Sequence, residues 1–158
     1  MKKYTIEIKW GAIFSIAMIL WMILEKSVGL HDVHIDKHPI YTNLFAIVAI
    51  IIYILAIKDK KKNFFNNNMD WKQGFVSGIY VTIVVALFSP LVQYIISTFI
   101  TPDFFKNAIN YAVEHKKLTQ TQAEAYFNLK SYMMQSVFGA LSMGVVTAAI
   151  VAYFNKTK

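Results

Sequence analysis

Residues 24–39 read LEKSVGLHDVHIDKHP and separate two long apolar runs. This stretch, called the histidine turn below, carries three of the chain's four histidines together with three acidic residues. A transmembrane helix needs about 20 consecutive, mostly apolar residues, and polar residues collect in the connections between such helices. The sequence therefore predicts a membrane hairpin with the histidine turn at one of its ends.

The composition is that of a membrane protein. Hydrophobic residues make up 56% of the 158 residues, whereas about 45–50% is usual in soluble domains. Cysteine is absent, which excludes disulfides and thiolate metal sites. All sixteen basic residues are lysines, so bidentate arginine clamps on phosphate or carboxylate are also excluded.

The apolar runs predict an all-α integral membrane protein with four transmembrane helices in one domain, residues 1–158. The predicted spans cover about residues 9–30, 39–57, 73–100 and 131–154.

An amphipathic helical hairpin is predicted between the third and fourth spans. Residues 102–116 place apolar and charged side chains on opposite helical faces but are too few to cross a bilayer. Thr101 is the predicted N-cap of this helix. Capping-box patterns at Thr119–Gln122 and Thr121–Glu124 predict a second helix that continues into the fourth span.

Lysines are distributed unevenly among the connections. The two tails and the middle loop hold ten lysines against three acidic residues, and the other two connections hold six of each. Cytoplasmic loops carry the excess of Lys and Arg in membrane proteins. We expect cytoplasmic N and C termini in a bacterial cytoplasmic (inner) membrane, and no nucleic acid is needed as a partner to explain the net charge of +7.

Small residues recur at every fourth position in the third and fourth spans. They are Gly74, Gly78, Thr82 and Ala86, and then Ser136, Ala140, Gly144, Ala148 and Ala152. Small residues let helix backbones approach closely in lipid. The pattern predicts antiparallel packing of these two faces, although such faces also fit a protein partner or a second copy of the chain.

The histidine turn offers candidate metal ligands. His31, His34 and His38 stand at positions i, i+3 and i+7, and would share a face if the turn were helical. With Glu25 or Asp36 they would supply nitrogen and oxygen ligands suited to zinc or another divalent ion. The alternative is a polar loop whose histidines cap helices or bond carbonyl groups.

A polar pocket is the second candidate site. Ionisable residues at membrane depth are costly and often functional, which singles out Glu25. Polar residues predicted at the same level are Asn43, Ser89, Gln93, Gln135 and Ser136. We predict a pocket formed by Glu25, Asn43, Gln93 and Gln135 and open to the outer side. The alternatives are a structural ion pair for Glu25 and simple interhelical hydrogen bonds for the others.

Several segments resemble one bacterial membrane family, known as domain of unknown function 4199. They are GLHDVHIDKHPIYTNLF at 29–45, WKQGFVSGIY at 71–80, SPLVQYI at 89–95, TPDFF at 101–105 and AEAYFNLKSY at 123–132. The resemblance implies a four-helix membrane protein and supplies no activity and no catalytic residues.

Three functions fit the sequence. The first is a non-enzymatic accessory or scaffold subunit that contacts membrane lipid and a protein partner or a second copy. The second is a carrier or flippase-like protein for a small polar solute or a lipid headgroup, and the third is a divalent-metal site at the outer face. No nucleophile–base pair, phosphate loop or cofactor motif is present, so we expect neither an enzyme nor a cofactor.

Overall fold

A computed structural model describes residues 4–157, and every regular element in that range is helical. Four helical segments are long and apolar enough to cross a membrane. The predicted all-α fold with four such helices is thereby confirmed. The elements are α1 (Thr5–Ser27), α2 (His38–Tyr41), a 3₁₀ turn (Thr42–Leu44), α3 (Phe45–Asn63), α4 (Trp71–Ile95), a π-helical segment (Ile96–Ile100), α5 (Phe104–Glu114), α6 (Gln120–Tyr126) and α7 (Leu129–Asn155).

The long helices extend beyond the apolar runs at several ends. Thus α1 begins at Thr5 and α3 continues through its lysines to Asn63. Lysine is a good helix former, and its long stem lets the ammonium group reach water from a helix end. Helix length is therefore not set by hydropathy alone.

Helix α4 is the centre of the bundle. It packs most extensively against α7 and next against α1, while α3 contacts α1, α4 and α7. Tyr53 and Ile57 of α3, Val81 and Val85 of α4, and Ala148 of α7 are all buried in one apolar cluster.

Part of the predicted small-residue ladder forms the α4–α7 contact. A Cβ atom added at Gly78 would lie 2.5 Å from the Ala148 Cβ, and one at Gly74 would lie 3.2 Å from the Ala152 Cβ. A Cβ atom added at Gly144 would lie 2.5 Å from the Thr82 Cγ2. The helices are therefore antiparallel and as close as glycine permits, which is how small residues promote packing in lipid.

The first turn of α1, the loop between α3 and α4 and the residues that follow α7 up to Thr157 lie at one end of the bundle, called the termini end below. The Thr157 N–H donates to the Met69 carbonyl at 2.8 Å, and the Ser77 hydroxyl donates to Glu7 at 2.9 Å. The histidine turn and α5 lie together at the other end, the histidine end. There the Asn107 side chain donates to the His31 carbonyl at 3.0 Å.

Pro90 lies inside α4 without ending it. Proline lacks the N–H that would bond the carbonyl four residues earlier, which here belongs to Ala86. The Ser89 hydroxyl donates to that carbonyl at 2.9 Å and so replaces the missing bond.

Two details of the predicted hairpin are wrong. Thr101 does not cap α5; its N–H bonds the Ile96 carbonyl at 2.8 Å and closes the preceding helix, so that α5 begins at Phe104. The capping box at Thr119–Gln122 does form, but α6 ends at Tyr126 rather than continuing into the fourth span. Asn128 interrupts the helix because its extended backbone and its side chain cap α7 through the Ser131 N–H at 2.9 Å.

Candidate functional site

The C-terminal end of α1 folds back over itself at Gly29. Gly29 has φ +78°, a left-handed conformation that glycine adopts without strain. The Leu30 N–H then bonds the Glu25 carbonyl at 3.0 Å, and the His34 N–H bonds the Gly29 carbonyl at 2.8 Å. This tight turn places His31 beside Glu25.

Glu25, His31 and His38 form a compact cluster, called the Glu–His–His cluster below. Glu25 Oε2 lies 3.1 Å from His31 Nε2 and 3.4 Å from His38 Nε2. One ligand atom from each residue lies within 4.8 Å of the others. Glu25 is 0% exposed and His31 4% exposed, while His38 is partly buried. The cluster thus places three side chains of types that can bind a metal in a largely buried site.

The surroundings of the cluster fix the carboxylate and cover the imidazoles. The Trp21 indole N–H donates to Glu25 Oε1. The Phe104 ring centre lies 5.2 Å from that of His31 and 5.0 Å from that of His38. Helix α5 therefore closes over the cluster with its apolar face.

Two of the predicted metal ligands lie elsewhere. His34 and Asp36 are exposed and do not belong to the group that brings Glu25, His31 and His38 together. The prediction assumed a helical histidine turn, but residues 28–37 form successive turns and α2 begins only at His38. His31 and His38 meet because the chain folds back, not because they share a helical face.

A cavity of about 380 Å³ lies beside the cluster, among α1, α3, α4 and α7. It is called the cleft below. Its walls are mostly apolar and include Phe14, Phe45, Val85, Val92, Ala140 and Met143, and its polar residues include Thr42, Asn43, Ser89, Gln93 and Ser136. Asn43 follows the histidine turn, Gln93 precedes the π-helical segment and Ser136 lies in the first half of α7. The polar part of the cleft therefore lies towards the histidine end.

The predicted polar pocket is only partly formed. Asn43 and Gln93 line the cleft, but Glu25 does not, because the fold at Gly29 joins it to the two histidines instead. Gln135 is exposed and donates to the Ser131 hydroxyl at 2.9 Å. Successive residues are rotated by about 100° around the helix axis, so the neighbouring Ser136 faces the cleft while Gln135 does not.

The predicted packing residues divide between two environments. Gly74, Gly78, Gly144 and Ala148 form the α4–α7 contact. Ser136 and Ala140 line the cleft. A Cβ atom added at Gly139 would have no neighbour within 4 Å, which identifies this part of α7 as open.

A second buried polar group lies at the termini end and was not predicted. Glu7 Oε1 lies 2.8 Å from Lys60 Nζ, and both side chains are almost fully buried. By sequence, Glu7 is one of the three acidic residues, and Lys60 one of the ten lysines, of the two tails and the middle loop. The available signal was the single acid in the basic segment that precedes the first apolar run.

Residues 9–157 match the family described as "Protein of unknown function (DUF4199)". The chain belongs to this family. The family resemblance deduced from the sequence segments is thereby confirmed, and the matched range includes the Glu–His–His cluster and the cleft. No curated protein and no solved structure matches the chain. The family description supplies no activity.

Proposed function

We propose that this protein is a non-enzymatic membrane protein that binds an amphipathic molecule, a membrane lipid, in the cleft between α3 and α7. The cleft is the observation that carries the proposal. Ligand pockets measure about 300–1,000 Å³ and combine apolar walls with a few polar groups. The volume of about 380 Å³ and the mixed lining fall within that description.

The distribution of polar residues supports a lipid as the occupant. Asn43, Gln93 and Ser136 would face a headgroup near the histidine end, and Phe14 and Val85 would face an acyl chain deeper in the bundle. A lipid with one chain in the cleft would satisfy both regions. A purely polar solute would leave the apolar walls without a matching surface.

The open side of the cleft supports entry from the membrane. Gly139 is exposed and has space around it, whereas further along α7 the Tyr53 side chain of α3 lies close to Gly144. Lipid chains surround a membrane-spanning bundle at this depth. They are therefore the apolar ligands with the shortest path into the cleft.

The lipid proposal is tested by filling the cleft from α7. Gly139→Leu adds a side chain where the structure has room, and leucine is a better helix former than glycine. Ser142→Leu is the matched control, because Ser142 is exposed on the same helix and does not line the cleft. Both variants and the native protein are purified in mild detergent, and the bound lipids are quantified by native mass spectrometry.

We expect lipid to be retained by the native protein and by Ser142→Leu, and to be lost from Gly139→Leu. Equal lipid content in all three proteins would contradict the proposal. A carrier or flippase-like role for a lipid headgroup or a small polar solute would use the same cleft. If the native protein transports such a molecule in liposomes and Gly139→Leu does not, the cleft serves transport as well as binding.

An accessory or scaffold role is the second candidate, with the α5–α6 hairpin as the surface that meets a partner. Its supporting observation is that α5 buries Phe104, Ala108 and Ala112 while Lys106 and Glu114 remain exposed at the histidine end. The α4–α7 ladder is already used within the chain, so a partner would not dock there. Crosslinking from a cysteine at Lys106 in native membranes would capture a different protein if this role is correct, and a second copy if the protein is a homo-oligomer.

The proposed location is a bacterial cytoplasmic membrane with both termini in the cytoplasm. Its support is the lysine excess of the tails and of the loop between α3 and α4. The histidine end, with the polar part of the cleft, would then face outward.

A further inference from the structure

We propose that Glu25, His31 and His38 bind a divalent transition-metal ion, with Zn²⁺ as the ion that fits best. The inference goes beyond lipid binding and does not depend on it, since these three residues do not line the cleft.

The spacing of the donor atoms is the first argument. A tetrahedral zinc ion with bonds of about 2.0–2.2 Å holds its ligand atoms about 3.3–3.5 Å apart. Glu25 Oε2 lies 3.1 Å from His31 Nε2 and 3.4 Å from His38 Nε2. All three ligand atoms lie within 4.8 Å of one another, so a rearrangement that draws the two imidazoles together would place all three on one ion.

The hydrogen-bond inventory is the second argument. Most buried polar atoms in proteins have a hydrogen-bond partner. His38 Nε2 is buried and has none, although it lies near the carboxylate, and His31 Nδ1 is buried without one as well. Coordination by the Nε2 atoms would satisfy His38 Nε2, whereas His31 Nδ1 would carry the ring proton and gain no partner, so His38 Nε2 is the atom that supports the site.

Charge is the third argument. A fully buried carboxylate in a membrane bundle needs a compensating positive charge. The adjacent Lys26 does not supply it, because its ammonium group donates to the Ile100 carbonyl. A divalent ion held by the two imidazoles would supply it.

The neighbouring residues give the support that metal ligands usually have. Groups that hydrogen-bond a ligand orient it and tune its affinity for the metal. Here the Trp21 indole bonds Glu25 Oε1 and leaves Oε2 directed at the imidazoles. The Phe104 ring packs on both imidazoles and limits access of water.

The donor set decides the class of ion. Two imidazole nitrogens and one carboxylate suit zinc and neighbouring transition metals, whereas calcium and magnesium prefer oxygen ligands. Three protein ligands leave a fourth position for water. The ion would join α1 to the start of α2 and so fasten the hairpin at the histidine end.

The test uses the full chain, purified through a tag without histidine, stripped with a chelator and then titrated with ZnCl₂ or CoCl₂. We expect one Zn²⁺ per chain and the visible absorption typical of tetrahedral Co²⁺. Glu25→Gln and His38→Ala should each weaken Zn²⁺ binding at least tenfold. His34→Ala is the matched control, because His34 belongs to the same turn but is exposed; it should bind like the native protein.

The metal titration of the native protein is by itself enough to overturn the proposal. If folded, monodisperse native protein binds no stoichiometric zinc and gives no tetrahedral Co²⁺ spectrum, the site does not exist. An equal loss of affinity in His34→Ala and His38→Ala would also contradict it, since the turn would then bind metal without using the Glu–His–His cluster. Neither result would affect the lipid measurement, which reports whether lipid is bound in the cleft.

Discussion

The carboxylate of Glu7 on α1 lies 2.8 Å from the ammonium group of Lys60 at the end of α3. The Ser77 hydroxyl of α4 donates to the same carboxylate oxygen at 2.9 Å. One buried polar contact thus joins three of the four long helices at the termini end. A buried ion pair adds little to stability as a whole, but removing one partner leaves the other uncompensated.

We therefore predict that Lys60→Met destabilises the bundle by about 3–5 kcal/mol, the usual cost of leaving a buried charge without its partner. The measurement is the unfolding free energy in mixed micelles. Lys58→Met is the control, because Lys58 is exposed on the same helix and should change stability by about 0.5 kcal/mol or less. The double variant Glu7→Leu with Lys60→Met should recover much of the loss. If Lys60→Met alone is as stable as the native protein, the ion pair is not a structural contact.

The contact between α4 and α7 gives a second prediction. A Cβ atom at Gly144 would lie 2.7 Å from the Tyr53 hydroxyl, which donates to Thr82 Oγ1 at 2.7 Å. Gly144→Leu should therefore separate the helices, break this hydrogen bond and destabilise the protein by about 1–3 kcal/mol or more. Ser142→Leu is the matched control on the same helix, since Ser142 is exposed and does not line the cleft. Equal melting temperatures for the two variants would show that the close contact does not stabilise the bundle.

The cap between α6 and α7 gives a third prediction. The Asn128 side chain accepts from the Ser131 N–H at 2.9 Å and donates to the Ala125 carbonyl at 2.8 Å. Asn128→Ala should cost about 0.5–2 kcal/mol, as the loss of an N-cap does. Hydrogen exchange should rise in the first turn of α7 and remain unchanged in α4. Asn110→Ala, an exposed position on α5, is the control. Unchanged exchange in Asn128→Ala would contradict its role as a cap.

The proposed orientation gives a fourth prediction. The chain has no cysteine, so single cysteines can be placed without background. In intact cells, an impermeant thiol reagent should label Asn110→Cys and should label Asn68→Cys only after the membrane is opened. Both positions are exposed, at opposite ends of the bundle. Labelling of Asn68→Cys alone in intact cells would reverse the orientation.

The helices and the α4–α7 contact were predictable because they depend on local patterns. Hydropathy marks the spans, and small residues four apart mark the faces that approach closely, as Gly78 and Ala148 do. These patterns do not give the angular position of single residues around a helix. The sequence therefore did not show that Ser136 rather than Gln135 lines the cleft.

The Glu–His–His cluster was predictable in part. The residue types were visible in the histidine turn, but the selection of His38 over His34 depends on the left-handed Gly29 and the turns that follow it. The Glu7–Lys60 pair was not predictable, because it joins residues 53 positions apart whose meeting depends on how α1 and α3 rotate on α4. Lys60 also stands in a lysine run in which nothing distinguishes it by sequence.

The central claim, that a membrane lipid occupies the cleft, is tested most directly by photocrosslinking. Native protein in liposomes is irradiated with a phospholipid that carries a photoactivatable group in its acyl chain, and the labelled residues are identified by mass spectrometry. We predict labelling concentrated at Phe14, Val85 and Ala140, which line the cleft and are buried or half-buried, and its loss in Gly139→Leu. Labelling spread evenly over outward-facing residues such as Leu20 and Leu87, which are 61% and 73% exposed, and unchanged in that variant, would contradict the claim.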